Sequence, residues 1–468
     1  MAQAKTLTLN RKRDVDMTEG NIFRHLLKFS VPLLLGNLFQ QMYNMVDTWV
    51  VGNYVSNEAY SAVGSVGPIT NMLIGFFMGL ASGAGVVISQ YYGAKKYDKV
   101  GDTVHTAATM TLILGVLFTA LGIAITPLML NLMKTPAAVF PEAKLYLTIY
   151  FSGMMGLMVY NMGSGILRAV GDSRRPFYFL VVSAVINTVL DLVFVLVFKM
   201  GVEGVALATI IAQFVSAILV LRTLLRTDSC VQVRVRCLKI EWEMLGKIVK
   251  VGIPAALQMA VTAFSNVFVQ SYINYFGEYF MSGWTTFMKV DQILFLPMQS
   301  LALSATTFVG QNLGKSQSER AREGVKVALW MAICATVLLM TPIMIFAPYV
   351  VQFFNSEPAV IQYGALMLRC ITAFHVFGCI NQILAGALRG AGNSRAPMLI
   401  MLSTFVVFRQ IYMYIVANFI ANEPVPIIMG YPAGWIACSV VMLVYYNRNK
   451  LGCSRLVEAE ELSNERTG

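Results

Sequence analysis

Between Leu33 and Tyr446 the chain returns repeatedly to apolar runs long enough to cross a lipid bilayer, and this recurrence leaves few folds open. A hydrocarbon core of about 30 Å takes about 20 residues of helix. No water is present there to satisfy backbone N–H and C=O groups, so only helices and closed barrels span it. A barrel reads as alternating segments of about ten residues. Here the runs are continuously apolar and are punctuated by Gly, Pro and cationic clusters, which is the pattern of helices. Spans are predicted at 27–51, 61–88, 104–127, 144–165, 178–199, 203–225, 247–272, 284–309, 324–347, 361–386, 398–420 and 427–447. A water-soluble surface needs roughly a quarter of its residues charged, and 13% here cannot supply one. The sequence therefore predicts an all-α integral membrane protein with 12 transmembrane helices.

The net charge of +11 would fit a nucleic-acid partner only if the cations gathered on one folded face, and they sit instead in alternate loops. Of the 35 Lys and Arg, 29 fall in the N-terminus, in every second loop and in the C-terminus, whereas the opposite loops hold Lys134, Lys144 and Lys199. By the positive-inside rule both termini are cytoplasmic, in a multi-pass protein of the cell (inner) membrane. Residues 1–26 are polar and basic, with no short apolar core followed by a cleavage site, so the first span is expected to act as the targeting signal. Cys230, Cys237 and Cys453 fall on the cytoplasmic side and Cys334, Cys370, Cys379 and Cys438 in or near spans, a distribution with no disulfide framework and too sparse for zinc.

Shifting the second half onto the first by 221 residues places Gln90 on Gln311, Gly93 on Gly314 and Pro127 on Pro348. The same shift aligns Gly165, Leu167, Arg168, Gly171, Ser173, Arg174 and Pro176 with Gly386, Leu388, Arg389, Gly392, Ser394, Arg395 and Pro397, so GxLRxxGxSRxP occurs twice. Its glycines are expected to end helices, its arginines to anchor at headgroups and its proline to open the next helix. Six spans per copy is an even number, so both copies enter from the same side, as two six-helix bundles related by a pseudo-twofold axis along the membrane normal. The expected division is a cytoplasmic N-terminus (1–26), an N-lobe (27–225), a cytoplasmic linker (226–246), a C-lobe (247–447) and a cytoplasmic tail (448–468). The linker and Asn21 to Lys28 read as amphipathic stretches lying along the membrane interface, and Pro32 and Pro254, at equivalent places near the starts of their helices, read either as helix starters or as points where the ladder loosens and the helix carrying Asp47 can bend.

An ionisable side chain inside a span costs on the order of 2.5–3.5 kcal/mol even on lenient scales, so each one is a functional candidate. Asp47, Asp191, Lys289, Asp291, Arg369 and Arg409 qualify. In the first span Asn37, Gln41, Asn44 and Asp47 or Thr48 recur at three- and four-residue steps and make one polar stripe. In the fifth, Asn187 and Asp191 share a face; the sixth offers Thr209 and Gln213 at the same spacing, and the fourth adds Asn161. Two carboxyls among amide and hydroxyl oxygens suit either a proton store or an oxygen cage for Na⁺. Position 47 maps onto Phe268 or Val269 and position 191 onto Tyr412, so the acidic pair belongs to one copy alone. Lys289 and Asp291 are two apart and point about 200° from each other, which leaves Arg409 or Arg369 as candidate partners for Asp291, in a structural ion pair or a substrate-linked role. Tyr43, Gln41, Asn44, Asp291, Arg409 and Gln258 are the candidate substrate-binding residues, and Phe39, Met42, Met45 and Trp49 offer an adaptable wall beside Asp47.

Three motifs together carry a family resemblance: QQxYNxVDxxxVG from Gln40 to Gly52, QxxG from Gln90 with its copy from Gln311 to Gly314, and the paired GxLRxxGxSRxP runs. Over nearly its whole length the chain resembles MATE (multidrug and toxic compound extrusion) transporters, in the DinF-like branch of the MOP flippase superfamily. That resemblance implies exchange of Na⁺ or H⁺ for organic, often cationic and amphipathic, compounds by alternating access. It also implies an N-lobe cation site at Asp47, Asn187, Asp191 and Thr209, with Asn161 and Tyr43 nearby. The NorM-like branch implies acids in the seventh and tenth spans, where this chain has Gln258, Asn266, Asn381 and Arg369.

Other classes were weighed on the same residues. Gly310 to Ser316 reads GQNLGKS, one residue short of a phosphate-binding loop and placed after a membrane helix rather than a strand, so an enzyme is not expected. A channel, or a flippase for lipid-linked precursors with a related architecture, is the remaining alternative. The expected partners are a small organic substrate and membrane lipid, with no nucleic acid, in a monomer without a cofactor beyond its coupling ion.

Overall fold

A computed structural model describes residues 15–55, 57–133, 135–449 and 451–457, with backbone alone at Thr48, at several positions of the second helix, and at Leu132, Phe264, Val267, Cys453 and Ser454. Residues 1–14 of the expected N-terminus, Lys134 and the tail from 458 onward lie outside the described residues. Every long element is a helix: α1 (Ile22–Tyr54), α2 (Asn57–Gly93), α3 (Tyr97–Leu132), α4 (Phe140–Ser152), α5 (Met154–Ala169), α6 (Arg174–Leu192), α7 (Val202–Arg226), α8 (Trp242–Asn274), α9 (Glu278–Gly314), α10 (Ser318–Ile345), α11 (Ala347–Gln352), α12 (Pro358–Thr372), α13 (His375–Gly390), α14 (Arg395–Met401), α15 (Arg409–Ile415), α16 (Pro424–Ile428) and α17 (Gly430–Arg448). Among the described residues ten helical stretches are long and apolar enough to cross a bilayer, and α12 with α13 makes an eleventh, bent by 50°. The remaining expected span, 144–165, falls on α4 and α5, which follow one another across Gly153. Shifted by 221, Gly153 lands on Phe374, the residue at the break between α12 and α13. Both copies therefore interrupt their fourth span at the same point.

Two compact units divide the chain, one built on Pro32–Ile253 and the other on Pro254 onward together with Met17–Val31. The expected lobes differ from these units at their edges. Residues 22–31 and 242–253 are the opening turns of α1 and α8 rather than separate interfacial helices, because each amphipathic stretch runs into the apolar span behind it without a helix-stopping residue. Pro32 and Pro254 accordingly lie ten or more residues inside continuous helices and are not helix starters. A proline there removes one ladder hydrogen bond, and in both copies that weak point coincides with the edge of a unit.

The QxxG motif explains how the segment before α1 is held in the second unit. Gln311 Oε1 accepts the backbone N–H of Met17 at 2.9 Å, and Asn312 Nδ2 donates to Met17 O at 3.4 Å. Lys315 Nζ donates to Glu19 Oε1 at 2.8 Å, and Arg320 donates to Gly20 O at 2.8 Å. The stretch that looks like a phosphate loop thus binds the chain's own residues. In the first unit the link to α8 is fixed by comparable means: Arg234 N–H donates to His105 Nε2 at 3.0 Å, Glu241 N–H to Thr106 Oγ1 at 3.1 Å, and Lys247 Nζ to Tyr91 OH at 2.6 Å.

The GxLRxxG copies end their helices as expected. Gly171 and Gly392 sit at φ of 87° and 89°, where only glycine is unstrained, and Asp172 N–H and Asn393 N–H return to Leu167 O and Leu388 O at 3.0 and 2.9 Å. Their arginines do not both anchor at headgroups. Arg389 is buried, with its Nε donating to Ala385 O at 3.3 Å, because α13 packs along α9, the most enclosed of the long helices. Around α9 the second unit's core gathers Phe280, Trp284, Phe287, Leu294, Leu368 and Trp435. By contrast α3 and α10 leave Val116, Ile113 and Leu338 exposed, as helices bordering hydrocarbon do.

Helix α2 meets α8 at Gly83, where an added Cβ would lie 2.5 Å from Gly252 Cα and 2.7 Å from Ile248 O, both backbone atoms. Gly83→Ala is therefore expected to destabilise the protein by about 1–3 kcal/mol, the usual cost of overpacking. Gly246→Ala on the same α8, where a Cβ meets nothing within 4 Å, should leave stability unchanged or raise it by about 0.5–1 kcal/mol. Thermal unfolding of the two purified variants in detergent checks this opposition.

Candidate cation site and its surroundings

The polar stripe of α1 is set by helical periodicity, and Asp47 is its last described side chain, since that of Thr48 lies outside the described residues. Asn37 and Gln41 are half-buried, and Asn44 is exposed. On α6, Asn187 and Asp191 fall one turn apart and are buried. Immediately beyond Asp191 the helix widens into a π-helical segment, Val193–Val197. Such widenings loosen the ladder and recur at functional positions. Helix α7 packs along α6, and Ser183 Oγ donates to Ala212 O at 2.8 Å, which fixes their register.

The carboxyl groups of Asp47 and Asp191 interact directly with each other. Asp47 Oδ1, both carboxyl oxygens of Asp191 and both polar atoms of the Asn187 amide are sealed from solvent with no hydrogen-bond partner among the described residues. Ionised carboxylates only accept, so two of them turned together have nothing to offer one another. Thr209 donates its hydroxyl hydrogen to Val205 O at 2.9 Å and keeps its oxygen lone pairs available. Two carboxylates, an amide oxygen and a hydroxyl oxygen make a hard-donor set that suits Na⁺, and the carboxyl pair alone suits a shared proton.

Tyrosines close this cluster. Tyr43, one turn before Asp47 on α1, lies within electrostatic reach of Asp47 and Tyr150, with Gln40 beside it. Tyr146 senses both carboxyls, and its ring stacks on that of Tyr150 with centroids 6.2 Å apart. Gln213 of α7 lies beside Tyr150. The sequence reading missed Tyr146 and Tyr150. Their only signal was a four-residue spacing inside an apolar run. Asn161 donates its Nδ2 hydrogen to Leu157 O at 2.9 Å within its own helix.

The second unit arranges its polar groups differently. Neither arginine partners Asp291 among the described residues. His375 does, with Nε2 and Asp291 Oδ1 2.8 Å apart, while His375 Nδ1 lies 3.1 Å from Thr372 O and the ring meets Trp435 edge-on at 5.0 Å. His375 opens α13 directly after the bend, a position that sequence spacing alone does not reveal. Arg409 is buried, donates to Ser265 Oγ at 2.9 Å and Asn266 Oδ1 at 3.0 Å, and stacks over Tyr431 at 4.6 Å. Arg369 reaches Met344 O at 3.5 Å, and Lys289 lies over the Phe354 ring at 5.7 Å. Gln258 Nε2 contacts Met401 Sδ at 2.8 Å, and Asn381 bridges Trp435 O and Ser439 Oγ. The substrate-binding candidates Asp291, Arg409 and Gln258 therefore each have their own partners: His375 for the first, Ser265 and Asn266 for the second and Met401 for the third.

Comparison with known proteins adds to this geometry. A family model described as MatE matches residues 32–193 and again 254–415, which reproduces the repeat. The chain is 29% identical over 435 residues to the probable multidrug resistance protein YpnP of Bacillus subtilis, covering 93% of this chain and 97% of the other. It is 26% identical over 386 residues to the probable multidrug resistance protein NorM of Thermotoga maritima, covering 81% and 82%. Among solved structures, a MOP superfamily transporter from Pyrococcus furiosus superposes with a TM-score of 0.88 at 22% identity, covering 92% of this chain and 96% of the other. An outward-facing multidrug resistance MATE transporter gives 0.87 at 22% identity, with the same coverage.

His375→Phe leaves Asp291 Oδ1 without its partner and should cost about 1–3 kcal/mol in unfolding free energy. Asp291→Asn retains a hydrogen-bonding oxygen and should cost less. Thermal unfolding followed by tryptophan emission, with Trp435 as the neighbouring reporter, distinguishes the two.

Proposed function

The chain belongs to the MatE family of membrane transporters, and on that premise we propose that it exports organic, cationic and amphipathic compounds in exchange for Na⁺ or H⁺ bound at Asp47 and Asp191. The supporting observation is the carboxyl pair itself, in direct interaction inside the first unit, with Asp47 Oδ1 and both oxygens of Asp191 buried and without a hydrogen-bond donor among the described residues. Asn187 and Thr209 complete the oxygen set for Na⁺, and Tyr43, Gln41 and Asn44 on α1 form the adjoining wall for the passenger. Asp291, Arg409 and Gln258 are the residues of the second unit assigned to the same passenger. The protein acts as a multi-pass monomer of the cell membrane with both termini cytoplasmic, and its family is one of transporters rather than enzymes.

The mechanism follows from electrostatics. A cation arriving from outside neutralises the pair and relieves its repulsion, and this changes the packing of α1, whose Pro32 is its weakest point. A cationic passenger seeks the same negative charge. Each therefore weakens binding of the other by the same coupling free energy, and exchange follows. Membrane potential drives entry of the coupling ion by about 2.3 kcal/mol per charge per 100 mV.

Efflux from proteoliposomes under a sodium gradient and, separately, under a pH gradient identifies the ion. Asp47→Asn and Asp191→Asn should each lower gradient-driven efflux by at least about tenfold, the rate equivalent of 1.4 kcal/mol, without loss of helical content. Wild-type efflux from either variant overturns the assignment.

A further inference from the structure

A groove of about 440 Å³ opens in the first unit between the start of α6 and the end of α7, away from the carboxyl pair. Its volume is that of an ordinary ligand site, which runs from about 300 to 1,000 Å³. Arg175, Arg222 and Arg226 line it against a single acid, Asp228, and Phe179 and Leu219 form an apolar wall. Arg175 is tied to Asp172 by an ion pair of 3.1 Å. Arg222 and Arg226 stand one turn apart on α7, both exposed, and neither has an ion-pair partner among the described residues. Like charges at that spacing disfavour the helix unless an anion lies between them. Beyond the wall, α6 and α7 continue with exposed apolar residues such as Val182 and Ile218.

We propose that this groove binds the phosphate of an anionic phospholipid from the cytoplasmic leaflet, with the guanidinium groups on the headgroup and an acyl chain along the apolar wall. Two observations select a lipid over a soluble anion. The cations and the apolar wall occupy one groove. That groove lies at the cation-rich end of the unit, which the positive-inside rule assigns to the cytoplasmic leaflet, where anionic lipids reside.

Native mass spectrometry of the purified full chain, with phosphatidylglycerol or phosphatidylcholine titrated in, tests this independently of transport. Wild-type protein should retain phosphatidylglycerol in preference to phosphatidylcholine. Arg222→Gln and Arg226→Gln should each weaken that retention about fivefold, which is the conversion of roughly 1 kcal/mol per cation at an anionic membrane. Asp228→Asn should strengthen it, whereas Lys250→Gln, on the exposed face of α8, should leave it unchanged. Equal retention of the two lipids, loss of retention in Lys250→Gln as large as in the arginine variants, or saturation of the groove by inorganic phosphate with no phosphatidylglycerol bound would each overturn the proposal.

Discussion

Two carboxyl groups turned towards one another in a dry interior set the terms for the rest of this molecule. Unit charges about 4 Å apart still repel by about 4 kcal/mol at an effective dielectric of about 20, so a pair such as Asp47 and Asp191 is tolerable only with positive charge between its members. The described neighbours are residues uncharged in their ordinary forms: Asn187, Thr209 and the tyrosines Tyr43, Tyr146 and Tyr150. On the proposed reading the pair takes up a cation or a shared proton, and the helices that carry it, α1 and α6, each hold a local weakness, Pro32 in one and the π-helical turn after Asp191 in the other.

The duplicated architecture makes this specialisation visible by contrast. Both copies share the helix-ending glycines at positive φ, the interrupted fourth span and the internal proline near the start of the first. These are solutions to packing and chain direction, and they recur because both copies face the same problem. Chemistry is not duplicated. Tyr412, at the position equivalent to Asp191, donates to Pro426 O at 3.3 Å, and the acid of the second unit is satisfied by His375. One unit has its carboxyls paired with protein, and the other leaves them exposed to each other.

Helix content, the repeat, the acidic pair and its α6 and α7 neighbours were all legible in the sequence, because each rests on a periodicity or on the rarity of charge in a membrane span. Tyr146 and Tyr150 were not, since aromatic residues in an apolar run carry no sign of which side they face. The partner of Asp291 was also hidden. Arg409 and Arg369 are the obvious counter-charges by composition, but the 50° bend before α13 brings His375 into place instead, and a bend of that kind comes from packing rather than from a local breaker. The interfacial stretches before Pro32 and Pro254 were read as separate pieces because amphipathic and apolar patterns differ, although the backbone passes from one to the other in a single helix. Arg389 shows the same limit, since a cation expected at the membrane surface is buried by contacts made far away in the chain.

Ion release on passenger binding, measured without any gradient, probes the competition at the centre of this account. Purified protein in lightly buffered detergent would be loaded with the coupling ion and then titrated with an organic cation, while a pH indicator and a sodium electrode follow the medium. Release of H⁺ or Na⁺ in proportion to passenger bound, lost when Asp47 is replaced by Asn, is the predicted result. Passenger binding at full affinity with neither ion released would contradict it.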